Sequence, residues 1–113
     1  MLKYVMDLTK KSCVPCEVGA PTLTEKEIKK YSLAVKNWRV RKNPDRIIKE
    51  YEFKDFSDAV KFVNRVANLA ESEGHHPNIH IHSYNKVTFE IWTHKIGGLH
   101  RNDFILASKI DKL

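Results

Sequence analysis

A chain of 113 residues, 42% hydrophobic and 30% charged, has the make-up of one globular domain, and a domain of this size buries about 65% of the surface its unfolded chain exposes. No apolar run approaches the ~20 residues of a membrane-crossing helix, and the N-terminus lacks the apolar core of a secretory signal, so a cytoplasmic protein is expected. The net charge of +6 is unevenly placed: residues 26–54 carry ten Lys and Arg against four Asp and Glu, and the remainder balances. That excess reads either as a surface for nucleic acid or another anion or as a solvated face. The solvated face is favoured, because no nucleic-acid-binding motif accompanies the charge and a nucleic-acid partner is not expected.

Taken in chain order, the first feature is the Cys13-x-x-Cys16 pair. This spacing suits a redox dithiol or half of a zinc site. A structural zinc site takes four ligands, no second cysteine pair exists, and the β-α-β setting of a redox pair is missing. Residues 1–20 are therefore read as an N-terminal extension with two reduced thiols, ahead of a domain over 21–113. Thr24 and Glu27 form a capping box with Leu23 and Ile28 as the flanking staple, which predicts a helix to about Val35. Trp38–Lys42 and Arg46–Phe53 read as strands joined by the turn Asn43-Pro44-Asp45. Asp55 caps the next helix, whose Ala59, Phe62, Val63, Val66, Ala67 and Ala70 repeat at three-and-four spacing, and Gly74 supplies a left-handed stop.

The segment from Glu71 to Asp103 then carries the chemistry. After Gly74 come His75-His76-Pro77, a rigid connector, and the alternating strand Ile79–His82. A hairpin through Asn85-Lys86 leads into a second strand, Val87 to Thr93, with Val87, Phe89 and Ile91 on one face, and returns His94 towards His75 and His76. Histidine exchanges protons near neutrality without special tuning, so three imidazoles facing one pocket suit general acid/base work. A last helix, Arg101 to Lys112, is apolar on more than one face and is expected to be buried on two sides, the second side being a candidate for a partner subunit. Trp92, on the outer sheet face, is either interface packing or a pocket wall. His80 and His82 share a strand face, where they are surface residues or, with the other histidines or the cysteines, metal ligands. The order α-β-β-α-β-β-α predicts an α+β single domain, a four-stranded antiparallel sheet with three helices on one face.

Glu71, three residues, His75-His76-Pro77, six residues, Tyr84, nine residues, His94, eight residues and Asp103 resemble the signature of the pterin-4a-carbinolamine dehydratases. The resemblance extends through Leu23-Thr24, Trp38, Phe53-Lys54-Asp55-Phe56, Arg65-Val66-Ala67, Tyr84-Asn85-Lys86-Val87, Gly98-Leu99 and Leu106-Ala107-Ser108. It implies dehydration of a 4a-hydroxytetrahydropterin to the quinonoid dihydropterin, recycling the pterin of aromatic amino acid hydroxylases. The pterin is then the substrate, and no cofactor or metal is needed. The resemblance further implies His75, His76 and His94 as catalytic residues, His75 and His94 moving protons and His76 orienting the substrate. Gly74, Trp92, Thr93 and Lys95 join them in binding the pterin ring, and Glu71 and Asp103 fix imidazole tautomers. Homodimers whose sheets join, or homotetramers, are implied too. Two alternatives stay open: a non-enzymatic dimerisation cofactor for transcription factors, and the same pocket acting on another pterin, as in molybdopterin metabolism. The stretch from Pro77 to Tyr84 is long for the pattern, which predicts a bulge near Ser83, and His100 in place of a capping Ser or Thr predicts a weakened start to the last helix.

Overall fold

The computed structural model describes residues 7–15 and 17–113. Helix α1 (Glu25–Ser32) opens on the expected capping box of Thr24 and Glu27 and ends near Leu33, a few residues earlier than its periodicity suggests. Strands β1 (Arg39–Arg41) and β2 (Arg46–Glu52) form the first hairpin, α2 (Phe56–Glu73) follows, β3 (Asn78–His82) and β4 (Lys86–Ile91) form the second hairpin, and α3 (Arg101–Ile110) closes the chain. The sheet is antiparallel throughout in the order β1-β2-β4-β3, so β4, the strand that leads to His94, lies in its interior.

Alternation puts Val87, Phe89 and Ile91 of β4 on the helix side, all fully buried, beside Ile47 of β2. They join Ala59, Phe62 and Val66 of α2 in one core cluster, with Ala70 buried further along the same helix. Tyr51, Phe62 and Phe89 are in mutual ring contact, with centroids 5.0 to 5.9 Å apart, the separation at which aromatic pairs add to plain burial. Ala67 is exposed, contrary to expectation, and Leu69 packs against the core from the neighbouring flank. The buried stripe of α2 is thus rotated slightly away from Ala67.

The second hairpin also departs from expectation. Pairing runs unbroken from Asn78 opposite Glu90 to His82 opposite Lys86, so Lys86 is already in the strand and the turn is Ser83-Tyr84-Asn85. Ser83 and Tyr84 both take left-handed backbone, φ 51 and 55. The additional length is absorbed in that turn, and the expected bulge does not form.

Helix α3 is buried from Asn102 to Ser108 by segments of its own chain. A short 3-10 turn at Leu8–Lys10 packs on α3 and inserts Leu8, 1% exposed, into the core. At the far end Asp111 accepts hydrogen bonds from Trp38 Nε1 at 3.0 Å and from the Tyr51 hydroxyl, and pairs with Lys49 at 2.8 Å. The described part of the extension is therefore packed on the domain through Leu8–Lys10, and α3 is buried without a partner subunit.

Candidate active site

Three chain reversals bring the site together. At the end of α2, Gly74 adopts φ 63, its amide bonds back to Ala70 and Glu71, and the chain leaves the helix with His75 and His76 ahead of β3. Beyond β4, Thr93 pairs with Gly98 and encloses a 3-10 turn at His94–Ile96 that holds His94 and Lys95 at the sheet end. A Cβ at Gly98 would stand 2.7 Å from Thr22 Cγ2, so any side chain there would require the exposed Thr22 side chain to shift. At the start of α3, His100 Nδ1 accepts the amide of Asn102 at 3.0 Å and Asp103 accepts the amide of His100 at 2.8 Å. His100 is a working cap, which corrects the expected weak helix start.

His75, His76 and His94 line one cavity of about 730 Å³, together with Gly74, Trp92, Thr93 and Lys95, with Glu71 at its margin. The volume falls within the range of small-molecule sites. Asp103 sits behind it, fully buried. Its Oδ1 is 2.6 Å from His75 Nε2, while its Oδ2 accepts the Thr93 hydroxyl at 3.0 Å and the His100 amide. A carboxylate bonded in this way can only accept, so Nε2 carries the proton of neutral His75 and Nδ1 holds its lone pair.

His76 has a carboxylate partner as well, Glu71 at 2.7 Å, but both side chains face solvent. His94 is held differently: its ring stacks on Trp92 with centroids 4.1 Å apart and planes 10° from parallel. Trp92 is a wall of the cavity. The Thr93 hydroxyl is taken by Asp103 and its amide by the Gly98 carbonyl, a supporting role that the motif does not reveal.

Other lining residues were not anticipated. Cys13, Val14 and Pro15 border the same cavity, as do Glu73 and Asn102. Burial and the neighbouring Glu73 carboxylate push the Cys13 thiol up to about 12, so it is a protonated thiol and a poor nucleophile. Burial opposes ionisation of Glu73, yet the Cys13 amide and the Lys109 ammonium, 3.1 Å away, together hold its carboxyl below the ordinary carboxylate range. Cys16 lies outside the described residues. His80 and His82 are on the outer sheet face, their rings 4.9 Å apart, with His82 bonded to Thr88 and Glu50. Among the described residues no three His, Cys, Asp or Glu side chains gather as metal ligands, and no helix is long and apolar enough to cross a membrane.

The family described as pterin 4 alpha carbinolamine dehydratase matches residues 21–113. The chain belongs to this family. A relative from Syntrophotalea carbinolica, which carries the dehydratase name provisionally, is 44% identical over 94% of this chain and 96% of its own. Pterin-4-alpha-carbinolamine dehydratase 2, mitochondrial, from Arabidopsis thaliana is 43% identical over 95% of this chain and 59% of its own. The crystal structure of a transcriptional coactivator/pterin dehydratase from Brucella melitensis superposes with a TM-score of 0.75 at 32% identity, covering 81% of this chain and 97% of that one. The α+β architecture is thus shared with a solved dehydratase structure.

Proposed function

We propose that the cavity dehydrates 4a-hydroxytetrahydropterin to quinonoid dihydropterin and water, by proton transfer through histidine. The observation that carries this reading is the buried Asp103 carboxylate bonded to His75 Nε2 at the wall of a cavity shared with His76 and His94. The reaction breaks the bond between C4a and the hydroxyl oxygen. One proton goes to the departing hydroxyl and one leaves a ring nitrogen, so a base and an acid are both needed, and each contributes about 100- to 10,000-fold.

His75 suits one of these tasks because Asp103 fixes its tautomer and orientation, leaving Nδ1 as the atom that exchanges a proton. His94 takes the other, oriented by its stack on Trp92. His76, exposed and loosely paired, orients the substrate, and Gly74, Trp92 and Lys95 border the ring. The chain is a hydro-lyase under this reading. It acts in the cytoplasm as a homo-oligomer, downstream of a pterin-dependent aromatic amino acid hydroxylase.

A second reading, a non-enzymatic coactivator, has the name of the Brucella structure in its favour. A purely structural partner has no use for an oriented imidazole in a cavity, so the enzymatic reading is preferred. The test follows dehydration by absorbance for the unmodified protein and for His75→Ala and His94→Ala. Acceleration that falls by about 100-fold or more in both folded variants supports the proposal; no acceleration by the unmodified protein overturns it. Running the assay with pterins of other side chains decides whether a different pterin is preferred.

A further inference from the structure

One side of the histidine cavity is built by residues that precede the family match. Cys13, Val14 and Pro15 line it, whereas the match begins at residue 21. The segment is pinned along its backbone by two side chains. Asn102 takes the Val14 amide on its Oδ1 at 3.0 Å and gives its own amide to the Val14 carbonyl at 2.5 Å. Glu73 takes the Cys13 amide on Oε1 at 2.9 Å and is itself held through Oε2 by Lys109 at 3.1 Å. The Cys13 thiol adds a contact to the Asn102 carbonyl at 3.6 Å.

These pins come from the two elements that make the site. Glu73 is the last residue of α2, directly before Gly74 and His75, and Asn102 directly precedes Asp103 in α3. Asn102 is 2% exposed, so its two-way bond to Val14 is largely shielded from water, where a lost hydrogen bond is costly. The extension thereby holds a fixed position relative to the His75–Asp103 pair, and Leu8 anchors its other end in the core. The wall it offers is small and mostly apolar, a valine, a proline and a protonated thiol, in a cavity whose other walls carry histidine, tryptophan and lysine.

We infer that Cys13-Val14-Pro15 is a wall of the substrate site, positioned by Asn102 and Glu73, that limits the size of the ring substituent the cavity accepts. The inference rests on the dehydratase reading and assigns to the extension a selective role in it. A valine, a proline and a protonated thiol offer no group for proton transfer near neutrality. The wall therefore acts on binding, and its loss or enlargement moves KM more than kcat.

The experiment uses the full chain and two synthetic 4a-hydroxytetrahydropterins, one with a methyl ring substituent and one with a three-carbon side chain. Val14→Trp, at a half-exposed position that tolerates bulk, is expected to raise KM about fivefold or more for the larger substrate, with a smaller effect for the methyl compound and on kcat. Asn102→Ala is expected to free the segment: in a Cys16→Ser background the alkylation of Cys13 accelerates about tenfold, as local opening predicts, and KM rises with it. An active unmodified protein whose KM for both substrates is unmoved by Val14→Trp overturns the inference and leaves the dehydratase reading standing. An unmodified protein without dehydratase activity overturns both. Thermal unfolding of each variant identifies any failure of folding, and Val14→Trp decides the matter if Asn102→Ala does not fold.

Discussion

Two histidine–carboxylate pairs lie on the same side of this molecule with almost the same bond length, and they are physically unlike. His75 and Asp103 are 2.6 Å apart with side chains 14% and 0% exposed; His76 and Glu71 are 2.7 Å apart and 59% and 78% exposed. An exposed pair competes with water and counter-ions and is worth at most about 1 kcal/mol. A buried carboxylate must have all its bonds satisfied by protein, and Asp103 does, through His75, Thr93 and the His100 amide. Removing one partner of such a group costs several times more, about 3–5 kcal/mol where the group is charged. Distance alone does not distinguish an oriented proton carrier from a surface contact; burial and the number of supporting bonds do.

The largest effect is expected from Asp103→Asn. The amide can donate where the carboxylate only accepted, which allows the wrong His75 tautomer, and a loss of about 100-fold or more in kcat is expected. Next is Trp92→Leu, which removes the stack that orients His94. A stack of this kind is worth about 0.5–1.5 kcal/mol, so a loss of about 2- to 13-fold in kcat/KM is expected. Glu71→Gln should change kcat/KM by no more than about 5-fold, the ceiling for an exposed pair. If Glu71→Gln proved as damaging as Asp103→Asn in steady-state assays, the contrast drawn from burial would fail.

A smaller effect is expected at His100, beside Asp103. Burial pushes the His100 imidazole below its ordinary value, with the Asp103 carboxylate opposing and the Arg101 and His75 charges assisting. Neutral His100 is the form whose Nδ1 caps α3. With the folded pKa below the unfolded one, its contribution to stability is full above pH 6.5 and is lost as pH falls through the folded value. His100→Ser keeps a cap and removes the titration. Urea unfolding at about pH 7.5 and pH 5.5 should therefore show a smaller loss of stability in the variant than in the unmodified protein, while His100→Ala at the higher pH costs about 1 kcal/mol.

Much of this was legible in the chain. The three-and-four spacing of Ala59, Phe62, Val66 and Ala70 marked α2, and the alternation of Val87, Phe89 and Ile91 marked the interior strand, because each period leaves one apolar face that must be covered. The boundaries that slipped are those where backbone geometry overrode pattern: Ser83 and Tyr84 take left-handed conformations that neither residue type advertises. Within the site, the histidines and both carboxylates were visible, but Glu71 and Asp103 looked alike, since burial is a property of what packs around a residue. The part of α3 that Leu8 covers could not be read from so short a segment, and the bonds of Asn102 to Val14 join positions 88 apart in sequence. A histidine in a capping position was misread for a related reason, because imidazole caps only when its neutral nitrogen is turned to the helix.

The most direct measurement is the rate of 4a-hydroxytetrahydropterin dehydration at saturating substrate for the unmodified protein beside Asp103→Asn, with circular dichroism confirming that both are folded. Acceleration well above the uncatalysed reaction is expected, reduced by about 100-fold or more in the variant. An unmodified protein no faster than solvent, or a folded Asp103→Asn as fast as the unmodified protein, would contradict this expectation.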